Sequence, residues 1–80
     1  MKIAVNVHLK AGVLDPQGKA VLHALHTLGF KEVEDVRVGK QILLNINAKN
    51  KEEAIKKAEE MAKELLANPV IENYEIEVKE

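Results

Sequence analysis

The chain has 80 residues, and its 12 basic and 13 acidic side chains give a formal net charge of −1. This balance argues against nucleic-acid partners, which need a clear basic excess, and the absence of cysteine excludes disulfides and zinc fingers. A length of 80 residues predicts one domain, residues 1–80, with a core so small that oligomerisation is expected.

Residues 2–10 predict the first strand. Apolar side chains alternate there with polar or small ones, and Ile3, Val5 and Val7 share the predicted buried face. The alternation starts beside Met1 without an apolar signal-peptide core, and no run in the chain reaches the roughly 20 apolar residues of a membrane span. We therefore expect a cytoplasmic protein with no membrane segment.

Asp15-Pro16 predicts the start of the first helix. Asp15 is a favoured N-cap, and Pro16 fits the first helical position, where no backbone N–H is needed. Gly29 is placed to end this helix in the left-handed conformation. Gly18 is unexpected, because glycine inside a helix costs roughly 1 kcal/mol relative to alanine. It is a first hint of a binding surface. The predicted apolar stripe of the helix is Val21, Leu22, Leu25 and Leu28.

The hydrophobic period changes to two between residues 33 and 48, which predicts strand structure. Two alternating sets meet at Gly39-Lys40, and two structures fit this pattern: a tight hairpin with a positive φ at Gly39, or a single long bent strand. Leu43 is predicted to face away from the other apolar residues of its set. Two interpretations fit this position: an ordinary exposed leucine, or part of a sheet face that another subunit covers.

Asn50 predicts the cap of a second helix, which runs to about Leu66 and ends before Asn68-Pro69. The last strand is predicted from three alternating apolar residues, Tyr74, Ile76 and Val78. The order strand, helix, strand, strand, helix, strand predicts an α+β fold. Its expected form is the β-α-β-β-α-β ferredoxin-like two-layer sandwich, with two helices on one face of a four-stranded antiparallel sheet. The other face of the sheet has no helix to cover it.

The sequence has no recognisable catalytic machinery. It lacks a serine or cysteine nucleophile and a phosphate-binding loop motif, and its His23–His26 pair has no third metal ligand of evident spacing. Arg37, the only arginine, either lies on a wet strand face or binds a partner carboxylate. Gly39-Lys40 is either a charged hairpin tip or a phosphate contact. We expect no catalytic residue, no metal and no cofactor in this chain.

Five motifs stand in register along essentially the whole chain: Val7-x-Leu9-Lys10, Leu14-Asp15-Pro16-Gln17-Gly18, Leu25-x-x-Leu28-Gly29, Val36-Arg37-Val38-Gly39-Lys40 and Leu65-Leu66-Ala67-Asn68-Pro69-Val70-Ile71-Glu72. Together they closely resemble the PurS family, the small subunits of bacterial and archaeal phosphoribosylformylglycinamidine synthase complexes. One departure is Asn73, where relatives commonly carry aspartate.

The resemblance implies a role in de novo purine synthesis. In this family the complex converts formylglycinamide ribonucleotide, glutamine and ATP to formylglycinamidine ribonucleotide. A large synthetase subunit binds ATP with magnesium, and a separate glutaminase subunit releases ammonia. The small subunit is expected to be a homodimer or tetramer without activity of its own, which holds these two partners together and supports ammonia transfer.

The resemblance also implies three partner contacts in this chain. They are the turn at residues 15–18, the tip at residues 37–40 and the connection at residues 68–72. The predicted interface residues are Asp15, Gln17, Gly18, Arg37, Gly39, Lys40, Asn68, Pro69 and Glu72. A small dimeric ligand-binding regulatory module is the alternative function, because folds of this class host many functions. A stand-alone enzyme is the least expected.

Overall fold

The computed structural model describes residues 1–79 and contains three strands and two helices. The strands are β1 (Lys2–Leu9), β2 (Lys40–Asn45) and β3 (Glu72–Val78), and the helices are α1 (Pro16–Thr27) and α2 (Lys51–Met61). A π-helical turn, Ala62–Leu66, continues α2. Within this described part of the chain, no helix is long and apolar enough to cross a membrane.

The three strands form one antiparallel sheet in the order β2-β1-β3. Val5, in the middle of the central strand, lies opposite Ile42 of β2 and Ile76 of β3. α2 and the π-helical turn contribute three fully buried alanines to the core, Ala54, Ala58 and Ala62. Because these side chains are short, the helix packs closely on the sheet, and Ile3 and Val5 lose all contact with solvent.

The predicted α+β, ferredoxin-like class is confirmed, but the sheet has three strands where four were predicted. Residues 33–39 form no strand, so the hairpin and the single long strand considered for residues 33–48 are both wrong. Gly39 has no positive φ, and β2 begins only at Lys40. The backbone N–H of Val38 donates to a carboxylate oxygen of Asp15 at 2.8 Å, so a side chain takes the place of a neighbouring strand.

α1 departs from the predicted two-layer arrangement. Its apolar stripe was expected to pack on the sheet, yet among the described residues no member of α1 belongs to the core. Gly18 is its only buried residue, while Val21 is 42% exposed and the C-cap Leu28 is 72% exposed. The radius of gyration is 15.9 Å, against about 12 Å for a compact chain of this length. α1 therefore extends away from the body formed by α2 and the sheet.

The predicted helix ends are confirmed. Asp15 caps α1 with Pro16 in its first turn, and Asn50 caps α2 by accepting the backbone N–H of Glu53 at 2.8 Å. Gly29 has a φ of +103° and follows α1 in the left-handed conformation. These ends depend on local chemistry, which explains why the sequence predicts them while it misplaces α1.

Candidate functional site

The three predicted interface segments meet at one end of the sheet, around a cleft of about 230 Å³. Asp15 and Gln17 line this cleft from the start of α1, and Gly39 and Lys40 line it from the chain that leads into β2. Glu72, the first residue of β3, completes the wall. We call this region, defined by these five residues, the junction. Segments that are distant in sequence thus form a single surface.

Asp15 is the buried centre of the junction, with 5% of its surface exposed. Its Oδ1 accepts the backbone N–H of Gly18 at 2.8 Å, which is the N-cap bond of α1. Its Oδ2 accepts the backbone N–H of Val38, also at 2.8 Å. One carboxylate therefore fixes the first turn of α1 against the segment that leads into β2.

These hydrogen bonds favour the ionised carboxylate. The backbone N–H of Val38 and then that of Gly18 hold the pKa of Asp15 below its ordinary value, and the nearby Arg37 guanidinium lowers it further. Burial opposes this change by raising the pKa, but the balance of causes is a lowered pKa. Asp15 therefore carries a full negative charge in the folded chain at neutral pH.

Arg37 contacts the backbone of its own chain. Its Nη1 donates to the carbonyl oxygen of Val13 at 3.0 Å, and its Nη2 donates to that of Lys10 at 3.2 Å. The guanidinium thereby links the connection after β1 to the segment before β2. Of the two interpretations open from the sequence, a solvated strand residue does not fit, because residue 37 is in no strand. The partner contact stays a prediction, since the side chain is exposed.

Two glycines allow backbone segments to approach within the junction. A Cβ added at Gly18 would overlap the carbonyl oxygen of Val36, and one added at Gly39 would lie 2.8 Å from the carbonyl oxygen of Val7. The unexplained Gly18 therefore has a reason inside the chain: the backbone that comes close is the chain's own. Gly39 serves the same purpose instead of providing a positive φ.

The connection at residues 68–72 is a tight turn held by its own side chains. The backbone N–H of Asn68 donates to Glu72 Oε1 at 2.7 Å, and Asn68 Oδ1 accepts the N–H of Val70 at 3.1 Å. The N–H of Glu72 donates back to the carbonyl of Asn68 at 2.7 Å. Asn68 and Pro69 are exposed but do not line the junction cleft, so of this segment only Glu72 reaches it.

Sequence reasoning missed the part of the junction that β1 contributes. Val7, His8 and Leu9 line the cleft. The backbone of the next residue, Lys10, makes three hydrogen bonds, with Ile71, Val13 and Arg37. The signal for these residues is the first motif, residues 7–10, which carries part of the family resemblance. A strand end next to a helix start is the ordinary place for such residues in this fold.

The junction offers recognition chemistry. Its exposed groups are the amide of Gln17 and the ammonium of Lys40, beside the exposed guanidinium of Arg37. Such groups form hydrogen bonds and ion pairs with another protein surface. Within residues 1–79, no three His, Cys, Asp or Glu side chains are placed to hold a metal ion.

Comparison with known proteins gives consistent results over nearly the full chain. The sequence model of the PurS family, described as phosphoribosylformylglycinamidine (FGAM) synthase, matches residues 2–80. The phosphoribosylformylglycinamidine synthase subunit PurS of Bacillus subtilis is 49% identical over 99% of this chain and 93% of its own length. The crystal structure of Methanocaldococcus jannaschii PurS is 46% identical, with a TM-score of 0.88 over 99% of this chain and 95% of that chain. A chain of the Thermotoga maritima PurLQS structure is 37% identical, with a TM-score of 0.87 over 95% and 93% of the two chains.

The close approach at Gly18 gives a stability prediction. Gly18→Ala should lower the free energy of unfolding by about 1–3 kcal/mol, because the added Cβ forces α1 away from Val36. Urea denaturation measures this change. The control is Lys19→Ala at an exposed position of the same turn, expected to change stability by no more than about 0.5 kcal/mol. A gain of about 1 kcal/mol for Gly18→Ala, as in an ordinary helix, would contradict the packing argument.

The pKa of Asp15 gives a pH prediction. Because that pKa is lowered on folding, the carboxylate stabilises the fold above its unfolded pKa, and this contribution is lost as the pH falls through the folded pKa. Asp15→Asn keeps one acceptor for two N–H donors, so its melting temperature should be below that of the wild type at pH 7. The difference should shrink as the pH is lowered into the acid range.

Thermal unfolding followed by circular dichroism at several pH values measures this difference. Asp35→Asn is the matched control, because Asp35 is exposed and its carboxylate bonds only the adjacent N–H of Val36. A difference between wild type and Asp15→Asn that does not change with pH would show that the charge of Asp15 has no part in its stabilising contacts.

Proposed function

The chain belongs to the PurS family of phosphoribosylformylglycinamidine synthase subunits, which act in purine biosynthesis, and from this premise we propose that it is a non-catalytic bridge between a synthetase subunit and a glutaminase subunit. The observation that carries the proposal is its match to a chain of the Thermotoga maritima PurLQS structure over 95% of its length. A chain that matches one component of a multi-subunit structure end to end is suited to the same place in a complex.

The chemistry of ammonia explains why the two subunits must be held together. The glutaminase subunit releases ammonia, and the synthetase subunit uses it with ATP to convert formylglycinamide ribonucleotide to formylglycinamidine ribonucleotide. Free ammonia is protonated in water at neutral pH and loses its nucleophilic lone pair. A bridge that holds the two subunits together shields the ammonia from water during its transfer. ATP and magnesium are held by the synthetase subunit. We place the assembly in the cytoplasm.

The junction supports this role because its segments are held together by hydrogen bonds while some of its side chains are exposed to solvent. Asp15 fixes two segments by two short hydrogen bonds, and Arg37 fixes a third by two more. Gln17 and Lys40 are exposed on this framework. A surface held in one conformation loses little entropy on binding, which favours a docking role.

We propose that a second copy of the chain packs against the exposed apolar side chains of α1. A helix of 12 residues is marginal by itself in water. The exposed side chains Leu14, Val21, Leu28 and Phe30 form an apolar surface on and beside α1, with 68%, 42%, 72% and 49% exposure respectively. Apolar surface of this extent on a small chain is typical of a subunit interface. We therefore propose a homodimer, or a tetramer built from dimers, in which α1 packs against another copy.

Reconstitution with the synthetase and glutaminase subunits tests the bridging role. With glutamine as the nitrogen source, formation of formylglycinamidine ribonucleotide should need this chain. With ammonium chloride, the synthetase subunit should work without it, because no transfer between subunits is required. An equal dependence on this chain with both nitrogen sources would contradict the bridge and indicate a part in the synthetase chemistry.

The same assay tests the junction. Lys40→Glu reverses an exposed charge in the cleft and should lower glutamine-dependent activity at limiting subunit concentration by about tenfold or more, with ammonium-dependent activity unchanged. Lys49→Glu, an exposed lysine at the other end of β2, is the matched control and should have no effect. Equal activities of the two variants would remove the junction from the interface.

The oligomer has its own test. Leu28→Glu puts a charge on the α1 surface at a position that is already 72% exposed, so the fold should be kept while the dimer is lost. Sedimentation velocity measures the mass. The control is Leu65→Glu, at an 82% exposed position after α2, which should leave the oligomer intact. A Leu28→Glu variant with the oligomeric mass of the wild type would contradict packing through α1.

A further inference from the structure

A second and larger cavity, of about 570 Å³, lies between the π-helical turn and the start of β3. Its volume falls in the range of small-molecule sites, about 300–1,000 Å³, whereas the junction cleft does not reach that range. Glu72 is the only residue that lines both. The lining consists of Lys10, Ala62, Lys63, Ala67, Pro69, Glu72, Asn73 and Tyr74.

The π-helical turn forms part of the cavity wall through Ala62 and Lys63. The N–H of Ala67 donates to the carbonyl of Ala62 at 2.9 Å, five residues back, which widens the helix at its end. Ala62 and Ala67, which form this hydrogen bond, are both buried. Their side chains are single methyl groups, so they fill little of the cavity. Single π-helical turns are rare and frequently occur at functional sites. Pro69 and Tyr74 supply the remaining apolar surface.

The charged residues that line the cavity are two lysines, Lys10 and Lys63, and one glutamate, Glu72. The ammonium groups of Lys10 and Lys63 make no ion pair with any residue in the described range, so both are free to bind an anion. One oxygen of Glu72 is engaged by the N–H of Asn68 at 2.7 Å. Lys10 is fixed through its backbone, which donates to Ile71 at 2.8 Å and accepts from Arg37 at 3.2 Å.

We propose that this cavity binds a ring-bearing anion of mononucleotide size. The ring packs against Pro69, the alanines and the aromatic ring of Tyr74, while Lys10 and Lys63 bind the phosphate. The second oxygen of Glu72 and the amide of Asn73 bind hydroxyl groups between the two ends. The combination of apolar walls with a few polar groups is typical of small-molecule sites. Binding at this site does not depend on the proposed bridging role.

The test uses Tyr74 as its reporter. Tyr74 is the only tyrosine and the chain has no tryptophan, so its ring protons give one resolved set of NMR signals from the cavity wall. The full-length chain is titrated with AMP, with adenosine and with inorganic phosphate. AMP should shift the Tyr74 signals with a dissociation constant of about 1 mM or tighter, and each half of the ligand should bind more weakly.

Two lysine variants then locate the anion. Lys63→Glu should weaken AMP binding by about tenfold or more, while Lys56→Glu, an exposed lysine of α2 outside the cavity, should leave it unchanged. The proposal is overturned by unshifted Tyr74 signals at saturating AMP, by phosphate alone binding as tightly as AMP, or by equal affinity of the two variants. It is also overturned if Tyr74 shifts only when a partner subunit is added, since the cavity is then a protein contact.

Discussion

The position of α1 depends on the carboxylate of Asp15. Each of its two oxygens accepts one backbone N–H, from Gly18 and from Val38, so a single side chain joins segments 20 residues apart. The approach of Gly18 to Val36 is possible only because no Cβ intervenes. Arg37 then fixes the same region to the connection after β1. The form of the junction, the course of residues 33–39 and the direction of α1 all follow from this set of contacts.

The sequence predicts those parts of the fold that depend on local chemistry. The caps at Asp15 and Asn50, the left-handed Gly29 and the alternating burial along β3 require no knowledge of distant residues. In β1 the burial does not alternate, because Ala4 on the opposite face is also fully buried. The errors concern long-range contacts. The period of two at residues 33–38 indicates an extended chain but does not show that the Asp15 carboxylate accepts the N–H of Val38, where a neighbouring strand was expected. The amphipathic stripe of α1 likewise indicates a covered face without identifying the body that covers it.

In the candidate site, too, the sequence predicts local features but not long-range contacts. Gly18 is recognisable from the sequence as unusual, yet its cause lies in a backbone approach that only the folded chain reveals. The family resemblance selected nine residues, and the contacts in the structure separate six of them into two groups. Asp15, Gly18, Arg37 and Gly39 hold the junction together, whereas Gln17 and Lys40 are presented to solvent. Loss of activity in a variant of the first group therefore reports on folding as well as docking, and only the second group isolates the contact itself.

The exposed position of α1 links helix formation to assembly. Because Gly18 is the only buried residue of α1, opening this helix in the free chain exposes little apolar surface and costs little free energy. Its amide protons should therefore exchange with solvent faster than those of β1, whose apolar side chains are buried. In the homodimer that we propose, association through α1 would order the helix and lower its conformational entropy, which would reduce affinity relative to the area buried. Helix propensity at exposed positions such as His23 then adjusts the concentration at which subunits assemble, while the sheet keeps its own stability.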